Sequence, residues 1–468
     1  MSGKISAHLG VRNVSISAGT QVLVRDISLH IPAGGVLTLL GESGSGKSLL
    51  AQAIMGNLPA PLSCSGVIEI GGRQYDAADL RSRRALWGRT LSLLPQEPWL
   101  ALDPTMRVVR QIGEVHELVL GRGETEASAA ATAALARLDM ADASAKYPFQ
   151  ISGGMAQRVA FLATHAAQAP ILIIDEPTKG LDSDRRGDVL AMLKAAIADG
   201  VTLLTITHDV WLARQLGGEV AVMLDGAIVE RGTATALLDA PQHAYTRCLL
   251  AAEPAAWAIE TGHTPAHETP VVSIQGVGKR FGAQRLFDSV SAEIRRGELI
   301  AVTGPSGSGK TTFGNLVLGL LKTDNGSVHR AKGLARTAFQ KIYQDPAAAF
   351  APGVSLRRSM QDLIDLHQLA WEDLTLLLER LRLPPALLER LPGQVSGGEL
   401  QRFAIARVLM MRPALIFADE PTSRLDPITQ QETLLLLREH ARRYQCAVLL
   451  VTHDHDIAAK LAQRQISL

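Results

Sequence analysis

The chain has 468 residues, 47% hydrophobic and 20% charged, with a formal net charge of +1. This is the profile of a folded globular chain long enough for at least two domains, and it excludes intrinsic disorder. The charge balance argues against a broad nucleic-acid footprint, and the scattered Cys64, Cys248 and Cys446 exclude a disulfide framework or a cysteine zinc cluster.

Met1–Arg12 lacks the apolar core of a signal peptide, and no apolar run reaches the roughly 18 residues of a membrane span. A soluble protein is expected, with any membrane role exercised through a partner. Alternation over Val22–Ile31 predicts a strand, and Gly35–Leu40 predicts a buried one. GESGSGKS follows at Gly41–Ser48 and then a helical pattern, which is the context in which G-x-x-x-x-G-K-[ST] binds phosphate. A loop containing Gly41, Ser43, Gly44 and Gly46 can wrap phosphates with backbone N–H groups at a helix N-terminus. Lys47 is expected at the β- and γ-phosphates and Ser48 on Mg²⁺.

An Ala- and Leu-rich helical stretch spans Glu124–Leu138, followed by ISGGMAQR at Ile151–Arg158. The apolar run Ile171–Ile174 reads as a buried parallel strand ending at Asp175, an expected Mg²⁺ ligand. Glu176 follows directly, where a carboxylate can polarise an attacking water as general base. TITHD occupies Thr205–Asp209. Residues Glu253–Thr269, rich in Pro, Ala and Thr and without periodicity, are expected to be a linker between domains at 1–252 and 270–468. A linker this short keeps the domains close, so they are expected to pair with each other.

The same order then recurs. Strand-like Leu286–Ile294 and Leu299–Val302 precede GPSGSGKT, in which Gly304, Ser306, Gly307, Gly309, Lys310 and Thr311 repeat the first loop. Helical Trp371–Arg382, VSGGELQR at Val395–Arg402, LIFADEPT with Asp419 and Glu420, and LVTHD with His453 complete it. Lys47 and Lys310 are 263 positions apart, Ser152 and Ser396 and likewise Asp175 and Asp419 are 244 apart, and His208 and His453 are 245 apart. The chain is therefore a tandem repeat whose second copy is about twenty residues shorter between its first two motifs. Strand–helix alternation around a helical insert implies an α/β class with largely parallel sheets.

SGG-x-x-QR about twenty residues before DEPT resembles the signature of ABC ATPases, and the resemblance spans nearly the whole chain. It implies two tandem P-loop NTPase domains, each a RecA-like core with an antiparallel β part and a helical subdomain, with two ATPs held in a head-to-tail pair of cassettes. Ser152, Gly153 and Gly154 would complete the site built on Lys310, and Ser396, Gly397 and Gly398 the site built on Lys47. Gln96 and Gln344 fall at the family's Q-loop position, which senses Mg²⁺ and the attacking water. His208 and His453 match the switch histidine, and Asp182 and Asp426 match the D-loop. Phe281 fits the aromatic position that stacks on adenine; its counterpart in the first copy is Ala18, so weaker stacking is expected there.

QEPWLALDPTMRV at Gln96–Val108 and APQHAYTRCLLAAEP at Ala240–Pro254 resemble segments of the dipeptide, oligopeptide and nickel importer ATPases. QDPAAAFAP at Gln344–Pro352 is a looser copy of the first. The resemblance implies an ATP- and Mg²⁺-dependent subunit, peripheral at the cytoplasmic face of the inner membrane. It would energise two permease subunits that receive solute from an extracytoplasmic binding protein. Peptides, nickel and metal–chelator complexes all stay open as the solute. The competing readings are a soluble ABC ATPase acting on ribosomes or DNA, and the ATPase of an exporter. The short linker and neutral balance disfavour the first, and the importer-like tail disfavours the second.

Overall fold

A computed structural model describes residues 7–97, 101–179, 181, 183–258, 270–282, 284–305 and 307–468, without the side chains of residues 183 and 184. Asp182 and Ser306, both expected site residues, lie outside the described residues. The chain divides into two compact units, Met1–Leu250 and Ala251–Leu468.

In the first unit β1 (Leu9–Ala18), β2 (Gln21–Ile31), β4 (Leu62–Ile70) and β5 (Arg73–Asp76) form an antiparallel sheet in the order β2-β1-β4-β5. A second sheet takes β3 (Val36–Leu40), β6 (Leu91–Leu94), β7 (Ile171–Asp175), β8 (Thr202–Thr207), β9 (Glu219–Leu224) and β10 (Ala227–Thr233) in the order β10-β9-β3-β8-β7-β6. Only the β9–β10 pair is antiparallel in it. The helices are α1 (Lys47–Met55), α2 (Val108–Leu118), α3 (Glu124–Ala136), α4 (Gly153–His165), α5 (Ser183–Ala198), α6 (Val210–Leu216), α7 (Ala234–Asp239) and α8 (Ala244–Ala251).

The second unit repeats the plan with fewer parts. β11 (Pro270–Phe281), β12 (Gln284–Arg295) and β14 (Asn325–Arg330) form a three-stranded antiparallel sheet. β13 (Leu299–Thr303), β15 (Phe339–Ile342), β16 (Leu415–Asp419), β17 (Ala447–Val451) and β18 (Arg464–Ser467) form a parallel sheet in the order β15-β16-β17-β13-β18. Its helices are α9 (Lys310–Leu318), α10 (Leu356–His367), α11 (Trp371–Arg380), α12 (Gly397–Met410), α13 (Pro427–Tyr444) and α14 (His455–Leu461).

The central parallel strands β7, β16 and β17 are almost wholly apolar because both of their faces are covered. Along β7, Ile171 and Ile173 pack with α1 and the antiparallel sheet, whereas Leu172 and Ile174 pack with α2–α4 on the opposite face. β16 divides likewise, Leu415 and Phe417 to one core and Ile416 and Ala418 to the other. Each central sheet thus carries two cores, and Asp175 and Asp419 end β7 and β16 at its carboxyl edge.

The shortening of the second copy falls where β5 and a short 3-10 turn at Leu80–Leu86 stand in the first. That turn carries the fully buried Arg83, which donates to Ala53 O at 3.1 Å and so gives a second donor to a carbonyl in the last turn of α1. In the second unit Arg330, on β14 itself, donates to Leu316 O and Val317 O at the end of α9. Ala53 and Leu316 occupy corresponding positions, so the same helix-end carbonyl receives an arginine from two different places in the chain.

Part of the expected linker is ordered differently from the sequence reading. Pro254–Ala256 form a 3-10 turn, and Trp257 is buried in the core of the second unit. Lys460 Nζ donates to Ala255 O and Trp257 O at 2.6 and 2.7 Å. The buried area of one indole outweighs a local composition that reads as loop.

Candidate functional site

The two phosphate loops are built alike. Gly46 and Gly309, the residues before α1 and α9, both stand in the left-handed region with φ of 95° and 96°. A Cβ at Gly46 would lie 2.7 Å from Val24 Cγ2, and one at Gly41 would lie 2.2 Å from Met223 O, so glycine is required at both. Lys47 Nζ is buried and donates to Gly41 O, Glu42 O and Ser45 Oγ at 2.8, 2.7 and 3.2 Å. Lys310 Nζ donates to Gly304 O and Pro305 O at 2.8 and 2.9 Å. Each ammonium sits at the mouth of a helix N-terminus, where positive potential and unpaired N–H groups suit a polyphosphate.

Beside each loop stands the strand-end aspartate. Asp175 is buried and accepts a hydrogen bond from Ser48, and burial pushes its carboxyl up to about 6 against the pull of that bond and of Lys47. Its Oδ1 has no hydrogen-bond partner among the described residues. Thr311 Oγ1 donates to Asp419 Oδ1 at 3.1 Å, and burial again raises the Asp419 carboxyl, here opposed first by the Lys341 ammonium. A hydroxyl beside a carboxylate with a spare buried oxygen is a donor set for a hard divalent cation.

Glu176 and Glu420 turn the chain sharply at the end of those strands. Both have positive φ, 52° and 46°, which is strained backbone for a side-chain-bearing residue. Their N–H groups donate across the sheet edge to Ile206 O and Val451 O at 2.8 and 3.2 Å. The turn aims each carboxylate at the histidine of the next strand end. His208 Nδ1 lies 2.8 Å from Glu176 Oε2, and His453 Nε2 pairs with Glu420 Oε1. Thr207 Oγ1 also donates to Glu176 Oε2, at 3.3 Å. In the second unit Gln344 Nε2 donates to Glu420 Oε2 at 2.8 Å. Glutamine, glutamate and histidine, 109 positions apart from first to last, therefore meet at one point. Gln96 is half-buried at the matching place in the first unit.

The two SGG turns lie at the N-termini of α4 and α12. Ser152 caps α4 by accepting from Met155 N at 3.3 Å, and Ser396 caps α12 by accepting from Glu399 N at 3.2 Å. Ser396 N also donates to Glu399 Oε2 at 2.7 Å, which makes a capping box that Met155 denies the first unit. Gly153 has open space around it, and Gly397 and Gly398 adjoin Arg424. A Cβ at Gly154 would sit 3.0 Å from the Arg185 side chain. Asp426 is buried and caps α13 by accepting from Thr429 N at 3.0 Å. Phe281 stands at the exposed end of β11 with Lys279 Nζ 5.5 Å from its ring centroid, and Ala18 ends β1 at the same hairpin position.

Sequence reasoning missed two participants. The tail residue Tyr245, on α8, accepts a hydrogen bond from Glu42 N in the first phosphate loop at 2.8 Å. Glu230 on β10 anchors this tail by accepting from Gln242 N and His243 N at 2.7 and 3.1 Å. A signal existed in the sequence, since the position of Glu42 is Pro305 in the other loop, which has no N–H to satisfy. The second is Lys341, a charged residue in the short strand β15, whose Nζ lies 3.5 Å from Asp419 Oδ2.

Residues 24–179 and 287–423 each match the family described as ABC transporter. The peptidoglycan transport ATP-binding protein YejF of Agrobacterium fabrum is 33% identical, over 97% of this chain and 89% of its own. The uncharacterized ABC transporter ATP-binding protein YejF of Escherichia coli is 31% identical, over 98% and 93%. The glutathione import ATP-binding protein GsiA of Salmonella typhi is 31% identical, over 95% and 82%. Among solved structures, an archaeal ribosome recycling factor, aABCE1, in complex with the ribosomal stalk protein aP1 superposes with a TM-score of 0.67 at 19% identity, over 98% of this chain and 87% of that one. At that identity the likeness shows the fold alone. Among the described residues no helix is long and apolar enough to cross a membrane.

Proposed function

The chain belongs to the ABC transporter family, and we propose that it is the ATP-hydrolysing subunit of an importer for peptide-containing solutes. Members of the family hydrolyse ATP to drive transport, and the chain carries two copies of the machinery. The observation that supports hydrolysis at both copies is the repeated pairing of Glu176 with His208 and of Glu420 with His453 at the carboxyl edge of each sheet. In each cassette the lysine of the loop meets the phosphates, the glutamate accepts a proton from the attacking water, and the histidine holds that carboxylate in place. Mg²⁺, held by Ser48 and Asp175 or by Thr311 and Asp419, would neutralise charge on the phosphates. Gln96 and Gln344 would orient the water.

The two cassettes of this reading are 1–252 and 270–468. They pair within the chain, with Ser152, Gly153 and Gly154 meeting the nucleotide on Lys310, and Ser396, Gly397 and Gly398 meeting the nucleotide on Lys47. Asp182 and Asp426 take the D-loop positions. Phe281 stacks on adenine in the second site.

The direction of transport and the solute class rest on relatives named for peptidoglycan transport and glutathione import, both of which handle peptide-bonded molecules. Peptide-containing solutes are therefore preferred to nickel or metal chelates. The subunit would work at the cytoplasmic face of the inner membrane on two permease subunits, with a binding protein outside delivering solute.

Steady-state ATP hydrolysis by the purified chain tests the two-site reading. Glu176→Gln and Glu420→Gln are each expected to lower turnover strongly, since a positioned general base contributes about 10²–10⁴-fold. A variant with wild-type turnover would show that its site is structural.

A further inference from the structure

The two cassettes are copies of one plan, so each serves as a control for the other. They differ sharply at the strand-end aspartate. In the second, Lys341 projects from β15 and is only 10% exposed. Its Nζ lies 3.5 Å from Asp419 Oδ2 and donates to Asn315 Oδ1 on the phosphate-loop helix α9 at 3.0 Å. The ring centroids of Tyr343 and Phe417 lie 5.1 and 5.4 Å from the same nitrogen. Carboxylate, amide oxygen and two π-faces make a purpose-built cation nest.

The first cassette keeps the aspartate and, in Gln52, a side-chain amide, but has neither the lysine nor the two rings. Aligned on the loop lysines, the Q-loop glutamines and the strand-end aspartates, Lys341 matches Leu93, Asn315 matches Gln52, Tyr343 matches Pro95 and Phe417 matches Ile173. Leu93 packs against the apolar core there. A further change accompanies the set. Gly314 stands where the first copy has Ala51, and a Cβ at Gly314 would lie 2.0 Å from the Phe417 ring. A lysine with its partners and the space they need differ together, which is more than a stray surface substitution.

The two oxygens of Asp419 are divided between the phosphate loop and this lysine, Oδ1 to Thr311 and Oδ2 to Lys341. We propose that Lys341 is a resident positive charge of the second nucleotide site, sharing Asp419 with the divalent cation and making nucleotide binding there less dependent on that cation than in the first site. A carboxylate already facing an ammonium attracts a second cation less, and the two cations repel each other at such spacing. The phosphates, for their part, meet a second ammonium besides Lys310. In the first site Lys47 and Lys179 also act on the Asp175 carboxyl, but β6 carries no lysine and Asp175 Oδ1 has no hydrogen-bond partner among the described residues, so the metal supplies there the charge that Lys341 supplies in the second. At effective dielectrics of partly buried sites, one charge at this range changes an equilibrium by about tenfold or more. Lys341 is a positioning and charge-balancing residue. The inference rests on the reading of both cassettes as ATP sites.

Binding of a fluorescent N-methylanthraniloyl ATP to the full chain tests it. Lys47→Ala leaves the second site and Lys310→Ala leaves the first, and each is titrated with magnesium and with EDTA. The loss of affinity in EDTA is expected to be about tenfold greater for the first site than for the second. Lys341→Met in the Lys47→Ala chain is expected to raise the second site's loss to that of the first, and Lys341→Arg to leave it low. Equal losses at the two sites, or a loss unmoved by Lys341→Met, would overturn the proposal. A merely structural lysine would lower stability without moving this ratio. Should Lys341→Met not fold, the comparison of the two single-site chains still decides, because it leaves position 341 unaltered. Absence of binding at both sites in magnesium would overturn the ATP reading itself.

Discussion

Asp175 ends β7 with one oxygen that has no hydrogen-bond partner among the described residues and its carboxyl pushed up to about 6 by burial. The folded chain therefore holds this proton more tightly than the unfolded chain, whose carboxyl titrates near 3.8. Stability at this group falls as pH rises from about 3.8 to about 6, and the full cost is present at neutral pH. Asp175→Asn is expected to raise the nucleotide-free stability of the first cassette by about 1–3 kcal/mol at pH 7 while removing the stabilisation by magnesium and ATP together. Thermal unfolding with and without the ligands checks both halves, and loss of nucleotide-free stability would contradict the account. The neighbouring pair has the opposite character. Burial opposes charge on both partners, yet each outweighs it for the other, so His208 is held above its ordinary 6.5 and Glu176 below its ordinary 4.5. The histidine's contribution is complete below 6.5 and lost as pH rises through its higher folded value. The glutamate's is complete above 4.5 and lost as pH falls through its lower folded value. The stability difference between wild type and Glu176→Gln should therefore be greatest between pH 4.5 and 6.5 and shrink on either side. A difference independent of pH in denaturant titrations would show that the two groups are not paired as ions.

At the scale of elements, the parts that were legible in the sequence are those whose local chemistry is self-sufficient. A phosphate loop needs glycine at positive φ, and Gly46 and Gly309 occupy that conformation. The buried strands announced themselves as apolar runs, and Ile171–Ile174 became β7 with one further residue, Asp175. Helical Glu124–Leu138 and Trp371–Arg382 became α3 and α11, each ending two residues earlier. What stayed hidden depends on contacts between distant segments. The hydroxyl of Tyr245 reaches a loop 203 positions away, and Lys341 reaches Asp419 across β15 and β16. No periodicity reports such meetings. Asp426 illustrates a third case, because a motif position also caps α13, and both duties favour the same residue type. The difference at the β1–β2 and β11–β12 hairpins carries a prediction of its own. Phe281→Ala should weaken ATP binding at the second site by about 1 kcal/mol, roughly fivefold, towards the level of the first site with Ala18. Equal affinities of the two wild-type sites, measured on single-site loop variants, would sink the stacking role.

At the scale of the whole molecule, one chain holds two cassettes that share a plan and differ in detail. The second lacks β5 and the turn bearing Arg83, has Lys341 at its aspartate and has a capping box at its SGG turn. Each difference changes a local balance while the glutamate–histidine pair is kept in both. Retention of that pair through so much divergence of the surroundings is what a two-site ATPase requires. The claim that its hydrolysis drives import is tested most directly by isolating the chain from its native membrane in mild detergent and identifying by mass spectrometry what comes with it. Two polytopic membrane proteins in amounts comparable to the chain are the expected result. Ribosomal proteins or DNA-repair factors, with no polytopic partner, would contradict the transport account and leave only the ATPase.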